Sequence, residues 1–344
     1  MQGGQVDRLN NFKFIQHNRD HFLGFSIILI VFYHYKIIFW GEIGVDLFVF
    51  LSGYGLAWGY SQKKVRLVNF WLKRAKRLLP AYWTILLAYV FYSVLCTDRT
   101  YSITQVLLNM SCLQMYVVGF KSIIPHVWYL SLIVTMYFFF PMFLNQIRKK
   151  RLLPLMLFIY TLMAIEYVTV NLFPIAMFRI PTFIAGVWIG YASISNRELL
   201  ISNRIEKMAS SLIVFVLMTI FVIAALNLPV HLLWNPGRYW TIIALFSPLL
   251  SISLLVACQP LTLQFESIFS AIGRCSYEIF LSHQLIYDLL QKKMMTIIDV
   301  AWCQNFIPFL IAFIVFCFSH FFHICITKFV KMSLLSNGMV LNQK

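Results

Sequence analysis

The sequence predicts an all-α integral membrane protein, a polytopic bundle of about ten transmembrane helices. Of its 344 residues, 60% are hydrophobic and only 12% are charged, which is more apolar surface than a water-soluble chain of this length can bury. The apolar residues come in runs of about 20, the length that crosses a bilayer as a helix. The net charge of +16 falls in short basic clusters between these runs. That placement is typical of cytoplasmic membrane loops and argues against a nucleic-acid partner.

Ten apolar runs are predicted to span the membrane with both termini in the cytoplasm. With this arrangement "KRAKR" at 73–77 and "RKKR" at 148–151 both face the cytoplasm, as the positive-inside rule requires. An eleventh run at 103–118 is short and interrupted by polar residues, so we predict that it does not cross. The predicted spans lie at 22–40, 43–60, 80–96, 126–146, 152–171, 178–194, 209–228, 239–258, 268–289 and 306–327. The organisation is then a cytoplasmic segment at 1–21, a membrane domain at 22–330 and a cytoplasmic tail at 331–344.

The first span contains an ionisable residue, His34, within "IILIVFYHY". The polar turn "GEIG" at 41–44 predicts a tight hairpin, which would bring Ser52 of the second span to nearly the depth of His34. From the residues alone, His34 has two interpretations. It is either a hydrogen-bond partner between helices or a functional group, because imidazole is the usual general base for activating a hydroxyl.

A basic segment, "KKVRLVNFWLKRAKRLLPAYW" at 63–83, precedes the third span. Arg74 and Arg77 are three residues apart, so both guanidinium groups share one face of a helix. The segment is either a positive-inside anchor or a cytoplasmic site for a polyanionic ligand such as a nucleotide-containing cofactor, because arginine pairs well with phosphate.

Several other polar residues occur within the apolar runs. His283, in "SYEIFLSHQLIYD", is predicted to lie near the depth of His34, which favours a shared polar cavity. Glu166 and His283, each taken alone, are more typical of structural positions. Seven cysteines show no metal-ligand spacing and most lie in apolar runs, so we predict neither disulfides nor a metal site.

Four segments together resemble one family, the acyltransferase 3 membrane acyltransferases of bacteria. They are "IILIVFYHY", "GVDLFVFLSGY", "FWLKRAKRLLPAYW" and "IGRCSYEIFLSH". Their order and spacing agree with the family from about residue 20 to 330. The family commonly has a basic residue eleven positions before the histidine; here that position is Leu23, and Arg19 lies one helical turn earlier.

The resemblance implies O-acyl transfer, usually of acetyl, from cytoplasmic acyl-CoA to a sugar hydroxyl of a surface or lipid-linked glycan at the bacterial inner membrane. It implies that His34 is the catalytic base, assisted by Ser52, which would orient the imidazole or stabilise the developing oxyanion. Acetyl-CoA is the expected donor, and no metal is expected. Cofactor binding is assigned to Lys73, Arg74, Arg77 and Arg19, and substrate binding to Asp46, Trp128, Tyr277 and His283.

Two other functions use the same residues. A membrane transporter could export a glycan or an acylated metabolite through the polar cavity without chemistry, although the chain shows no matched pair of broken helices of the kind that marks many transporters. A non-enzymatic scaffold or sensor would leave His34, Arg74 and Arg77 replaceable.

Overall fold

A computed structural model describes residues 12–38, 41–61, 66–97, 99–117, 122–169, 174–194, 212, 216, 236–297 and 304–336. Within these ranges the chain is helical and contains no β-strand, so the all-α class is confirmed. The helices are α1 (Lys13–His17), α2 (Arg19–His34), α3 (Ile43–Ser61), α4 (Leu67–Cys96), α5 (Ile103–Met110), α6 (Trp128–Arg148), α7 (Leu152–Thr169), α8 (Pro174–Met177), α9 (Ile180–Ile194), α10 (Pro236–Gln264), α11 (Glu266–Arg274), α12 (Ser276–Ile297) and α13 (Ile307–Ser336). Short 3₁₀ turns occupy Gln114–Tyr116 and Pro125–Val127.

Five helical segments in the described part are long and apolar enough to cross a membrane: Ile43–Ser61, Leu67–Cys96, Pro125–Arg148, Phe246–Gln264 and Ile307–Met332. Two shorter apolar helices lie at Leu152–Ile165 and Ile180–Ile194. The predicted span at 209–228 lies outside the described residues except for Leu212 and Val216, and the count of ten spans and the cytoplasmic termini stay predictions. Segment 103–118 contains only the eight-residue helix α5 and a 3₁₀ turn, which are too short to cross a hydrocarbon core of about 30 Å.

The outer surface of the bundle is apolar. Phe91 and Leu95 on α4 are each 70% exposed, and Phe313 and Phe321 on α13 are 64% and 67% exposed. Large apolar patches of this kind are rare on soluble monomers. Helices whose lengths match a bilayer and whose exposed side is apolar identify a membrane protein.

The first predicted span is shorter than expected, because α2 ends at His34. Lys36 has a φ of 57°, and its N–H donates to the Tyr33 carbonyl while the Ile37 N–H donates to the Phe32 carbonyl. This pair of hydrogen bonds is a Schellman motif, which terminates a helix. The connection to α3 therefore runs from Tyr35 to Glu42 and is longer than the four-residue turn predicted from "GEIG".

The predicted span at 268–289 is two helices, α11 and α12, separated at Cys275. Helix α11 packs closely on α2, because Gly273 lies against the backbone carbonyl of Asp20 and Gly24 lies against that of Phe269. A β-carbon at either glycine would clash with the facing backbone, so these two positions let the helices touch. The packing fixes the start of α12, which carries Tyr277 and His283.

Candidate active site

His34 is the last residue of α2, and its hydrogen bonding defines its tautomer. The Nδ1 atom lies 2.9 Å from the carbonyl oxygen of Ile30. A carbonyl only accepts, so Nδ1 carries the hydrogen and Nε2 holds the lone pair. The C-terminal end of a helix has partial negative character that favours a nearby positive charge. The position therefore suits an imidazole that takes up a proton at Nε2.

Two further histidines surround His34. The ring of His283, on α12, lies 4.9 Å from that of His34, and the ring of His126, in the 3₁₀ turn before α6, lies 4.6 Å from His283 and 6.4 Å from His34, measured between centroids. The predicted proximity of His34 and His283 is confirmed. Sequence reasoning did not include His126 among the site residues; its only signal was a histidine beside Trp128 at the start of a span.

The three rings, called here the histidine cluster, do not form a metal-ligand set. No group of three histidine, cysteine, aspartate or glutamate side chains in the described ranges is placed to hold a metal ion. His283 Nδ1 lies 2.8 Å from the Phe280 carbonyl, so it also is the protonated nitrogen, and its Nε2 is buried without a hydrogen-bond partner in the described part of the chain.

Arg19, Arg74 and Arg77 line one cavity of about 210 Å³. The cavity extends along α2 from Arg19 to Ile30, a distance of roughly 16 Å at 1.5 Å per residue. Its arginine end includes Gln16 and Gly55, and its other end is apolar. The lining is completed by Leu23, Val45, Phe48, Ser52, Leu56, Leu78, Tyr129, Leu130, Ile133, Tyr137, Ser276, Tyr277 and Phe280.

The arginine end of the cavity has unused hydrogen-bond donors. The Nε atoms of Arg19 and Arg74 are buried and have no hydrogen-bond partner among the described residues. Gly55 makes room for Arg19, since a β-carbon there would lie 2.8 Å from the Arg19 Nε. Unpaired buried guanidinium donors are costly, so this end of the cavity is suited to an anion with several acceptor oxygens.

Arg19 therefore joins Arg74 and Arg77 as predicted, although Leu23 occupies the position where the family commonly has a basic residue. Lys73 is exposed and is not among the residues that line the cavity. Tyr277, assigned from sequence to substrate binding, lines the cavity and donates a hydrogen bond of 2.9 Å to the Leu78 carbonyl. The side chain of Glu166 lies outside the described residues.

Ser52 is not beside His34, which corrects the expectation of equal depth. A β-carbon on Gly44 would already lie 2.9 Å from the Ile30 side chain. Ser52 is two turns further along α3, so it and His34 are roughly 18 Å apart along the bundle. The cause is the Schellman motif after His34, which lengthens the connection and shifts α3 along α2. Ser52 lines the arginine cavity instead.

A thin apolar wall separates the inner end of the cavity from the histidine cluster. Ile30 lines the cavity, and its carbonyl accepts the hydrogen bond from His34. Phe280 also lines the cavity, and its ring lies 5.4 Å from that of His126 and 5.1 Å from that of Tyr129. One residue thickness therefore lies between the inner end of the cavity and a candidate base, while the arginines lie at the opposite end.

Asp46 and Trp128, both assigned from sequence to substrate binding, lie in a buried polar cluster. Asp46 Oδ1 lies 3.4 Å from Arg179 Nε and accepts a hydrogen bond of 2.9 Å from Ser247, which also bonds to Thr182. The Arg179 guanidinium lies 5.1 Å from the centre of the Trp128 ring. This cluster connects α3, α6, α9 and α10. Arg179 is 1% exposed.

The family model of the acyltransferase domain matches residues 20–327. The chain is also 34% identical over 84 residues to peptidoglycan O-acetyltransferase OatA of Listeria monocytogenes, covering 22% of this chain and 13% of the relative. The matched stretch is thus only a small part of that relative's length. No solved structure matches.

The family match covers the histidine cluster, Arg74 and Arg77 of the cavity, and every predicted span. It favours the enzymatic interpretation over the transporter and the scaffold, and confirms the family predicted from the four sequence segments. The chain belongs to the acyltransferase 3 family of membrane acyltransferases.

Proposed function

We propose that the protein transfers an acyl group, most simply acetyl, from cytoplasmic acyl-CoA to a sugar hydroxyl of a surface polysaccharide or lipid-linked glycan, with His34 as general base. The observation that carries the proposal is that the arginine cavity extends to Ile30 and Phe280, the residues that separate it from His34 and the histidine cluster. A donor that is anionic at one end and reactive at the other fits this arrangement. The bacterial inner membrane is its proposed location.

The donor would bind with its phosphates on Arg19, Arg74 and Arg77. These cations are gathered at one end, where two buried Nε–H groups lack partners in the described structure. The uncharged arm of the donor would follow the apolar stretch between Leu23 and Ile30. The thioester would then reach Phe280, next to the histidine cluster.

In the proposed reaction, Nε2 of His34 removes the proton of the acceptor hydroxyl as its oxygen attacks the thioester carbon. The carbonyl π electrons move onto oxygen, and on collapse the carbon–sulfur bond breaks. The leaving thiolate takes the proton from His34, so the imidazole returns to its starting tautomer. The helix end at His34 stabilises the transient positive charge.

The proposed acceptor is a glycan, supported by the family and by the name of the Listeria relative, a peptidoglycan O-acetyltransferase. The test is mass analysis of surface polymers from a strain that lacks the gene. We expect one polymer to lose a single acyl mass, and complementation to restore it. Surface glycans with unchanged masses in both strains would contradict the proposal.

Removing Arg74 and Arg77 together should weaken acyl-CoA binding. Each charge-assisted hydrogen bond contributes about 1.5–3 kcal/mol, so replacing either arginine by alanine should reduce the affinity about 10- to 100-fold. Equilibrium binding of radiolabelled acetyl-CoA to the purified protein measures this. Arg151→Ala, an exposed cation in the turn between α6 and α7, is the control. Unchanged affinity in the double variant would remove the two arginines from the donor site.

Gly55→Ala should weaken donor binding without removing any charge. The added β-carbon would meet the guanidinium of Arg19 at 2.8 Å, so that side chain must move away from the cavity. We expect a severalfold rise in the KM for acyl-CoA. Gly59→Ala, one turn later on α3, is the matched control, because a β-carbon there meets nothing within 4 Å. Equal KM values in the two variants would show that the position of Arg19 is unimportant.

A further inference from the structure

Acyl transfer requires a hydrogen-bond donor for the oxyanion, in addition to a base. Attack on the thioester places a negative charge on the carbonyl oxygen, and a fixed N–H or O–H group aimed at that atom commonly lowers the barrier. Ser52 was the sequence-based candidate, but it lies roughly 18 Å from His34 along the bundle. The donor must therefore come from another group near the histidine cluster.

Most donors near His34 are already engaged. His34 Nδ1–H donates to the Ile30 carbonyl at 2.9 Å, and His283 Nδ1–H donates to the Phe280 carbonyl at 2.8 Å. The hydroxyl of Tyr35 donates to the His283 carbonyl at 2.8 Å, and that of Tyr33 donates to Glu42 at 2.9 Å. None of these groups is available to a carbonyl oxygen.

His126 differs from these four donors. A neutral imidazole always carries one N–H, yet neither nitrogen of His126 has a hydrogen-bond partner among the described residues. The carbonyls of Phe280 and Leu281 lie near the ring, but neither accepts a hydrogen bond of normal geometry. The side chain is 6% exposed, so water at the surface does not satisfy it. A buried donor without a partner destabilises the folded protein, and binding of an acceptor atom would remove that cost.

The position of His126 matches the route of the thioester. Its ring lies 5.4 Å from Phe280, which lines the inner end of the donor cavity, and 6.4 Å from His34, the proposed base. A thioester carbonyl that reaches Phe280 would lie beside the ring of His126 and close to that of His34. A neutral imidazole is a competent electrophile for a carbonyl oxygen.

We infer that the N–H of His126 is the donor that stabilises the oxyanion, an inference that rests on the proposed acyl transfer. The hydrogen bond strengthens as the carbonyl π electrons move onto oxygen and weakens when the carbon–sulfur bond breaks. His126 gives up no proton in the cycle. His34 moves the proton from the acceptor to the thiolate.

Tyr89 is the alternative donor. Its hydroxyl is buried without a partner in the described structure, and its ring lies 6.4 Å from that of His126. In the described structure the ring of Tyr89 makes no ring contact with Phe280 or His34, whereas that of His126 touches both. We therefore assign the oxyanion to His126, and a separate variant tests Tyr89.

The test compares His126→Phe, which keeps a ring and removes both nitrogens, with His126→Asn, which restores an N–H donor. Loss of one oxyanion donor lowers kcat about 10²–10³-fold. We expect that loss in His126→Phe, with unchanged KM values for acetyl-CoA and for a glycan fragment from the host surface, and partial recovery in His126→Asn. Tyr89→Phe should retain most of the rate. His320→Phe, an exposed histidine on α13, is the control for the same chemical change.

Hydrolysis of acetyl-CoA without a glycan separates this role from acceptor binding. Water then replaces the sugar hydroxyl, but the same oxyanion forms, so His126→Phe should slow hydrolysis and transfer by similar factors. Loss of transfer alone, a raised glycan KM, or a rate defect in Tyr89→Phe with none in His126→Phe would overturn the inference. If the wild-type protein neither hydrolyses nor transfers acyl groups, the proposed function itself fails, and the inference with it.

Discussion

Replacing His34 by alanine is expected to lower the rate of acyl transfer about 10²–10⁴-fold, the usual contribution of a positioned general base. The reason is its fixed tautomer: the Ile30 carbonyl holds the hydrogen on Nδ1, so Nε2 is free to take a proton. Acetyl-CoA affinity should change little, because the arginines lie at the far end of the cavity. Release of free CoA thiol in the presence of glycan measures the rate, and binding of radiolabelled acetyl-CoA measures the affinity.

His320→Ala on α13 is the control for this prediction, since that histidine is exposed on the outer surface of the bundle. It should transfer acyl groups at the wild-type rate. A His34→Ala variant that binds acetyl-CoA normally and still transfers at the wild-type rate would show that another group is the base. Loss of donor binding in that variant would instead indicate that His34 holds the fold around the cavity.

The sequence was sufficient to select His34 and the arginine pair, but not to place them. A histidine in an apolar run and two arginines three residues apart are visible in a one-dimensional pattern. The end of α2 depends on Lys36 adopting a left-handed conformation, and neither composition nor periodicity indicates this at a lysine. The expectation that Ser52 lies at the depth of His34 was wrong for that reason.

Arg19 was suggested by the sequence, but its place in the cavity depends on contacts between segments that are distant in the chain. One helical turn separates Arg19 from Leu23, and only the packing of α2 on α3 decides whether its guanidinium reaches the cavity. Gly55 provides the required space. A glycine within an apolar helix has many roles, so its meaning became apparent only with the facing side chain.

Helix boundaries could be predicted where a long apolar run is uninterrupted. The prediction failed where tertiary packing ends a helix within such a run. The segment at 268–289 was predicted as one span, yet the helix is interrupted at Cys275, next to the place where α11 packs against α2. His126 was missed for a related reason. It lies in a short 3₁₀ turn, and its neighbours His34 and His283 come from helices far away in the chain.

Breaking the buried ion pair between Asp46 and Arg179 is expected to destabilise the folded protein by about 3–5 kcal/mol, because either single substitution leaves a charge without its partner in the apolar interior. Asp46 is 4% exposed and Arg179 is 1% exposed, and Ser247 donates a further hydrogen bond to the carboxylate. Thermal unfolding of the purified protein in detergent measures the effect. Asp46→Leu and Arg179→Met should each lower the midpoint.

The double variant with Asp46→Leu and Arg179→Met distinguishes a structural role from a role in acceptor binding. Replacing both charges by apolar groups removes the cost of burial as well as the attraction, so the double variant should be more stable than either single variant. If the cluster is structural, acyl transfer per folded molecule should also return in the double variant. If Asp46 contacts the glycan, the double variant should regain its thermal stability while the KM for glycan stays raised. If the double variant lost as much stability as the two single variants together, that result would contradict the coupling that the 3.4 Å contact indicates.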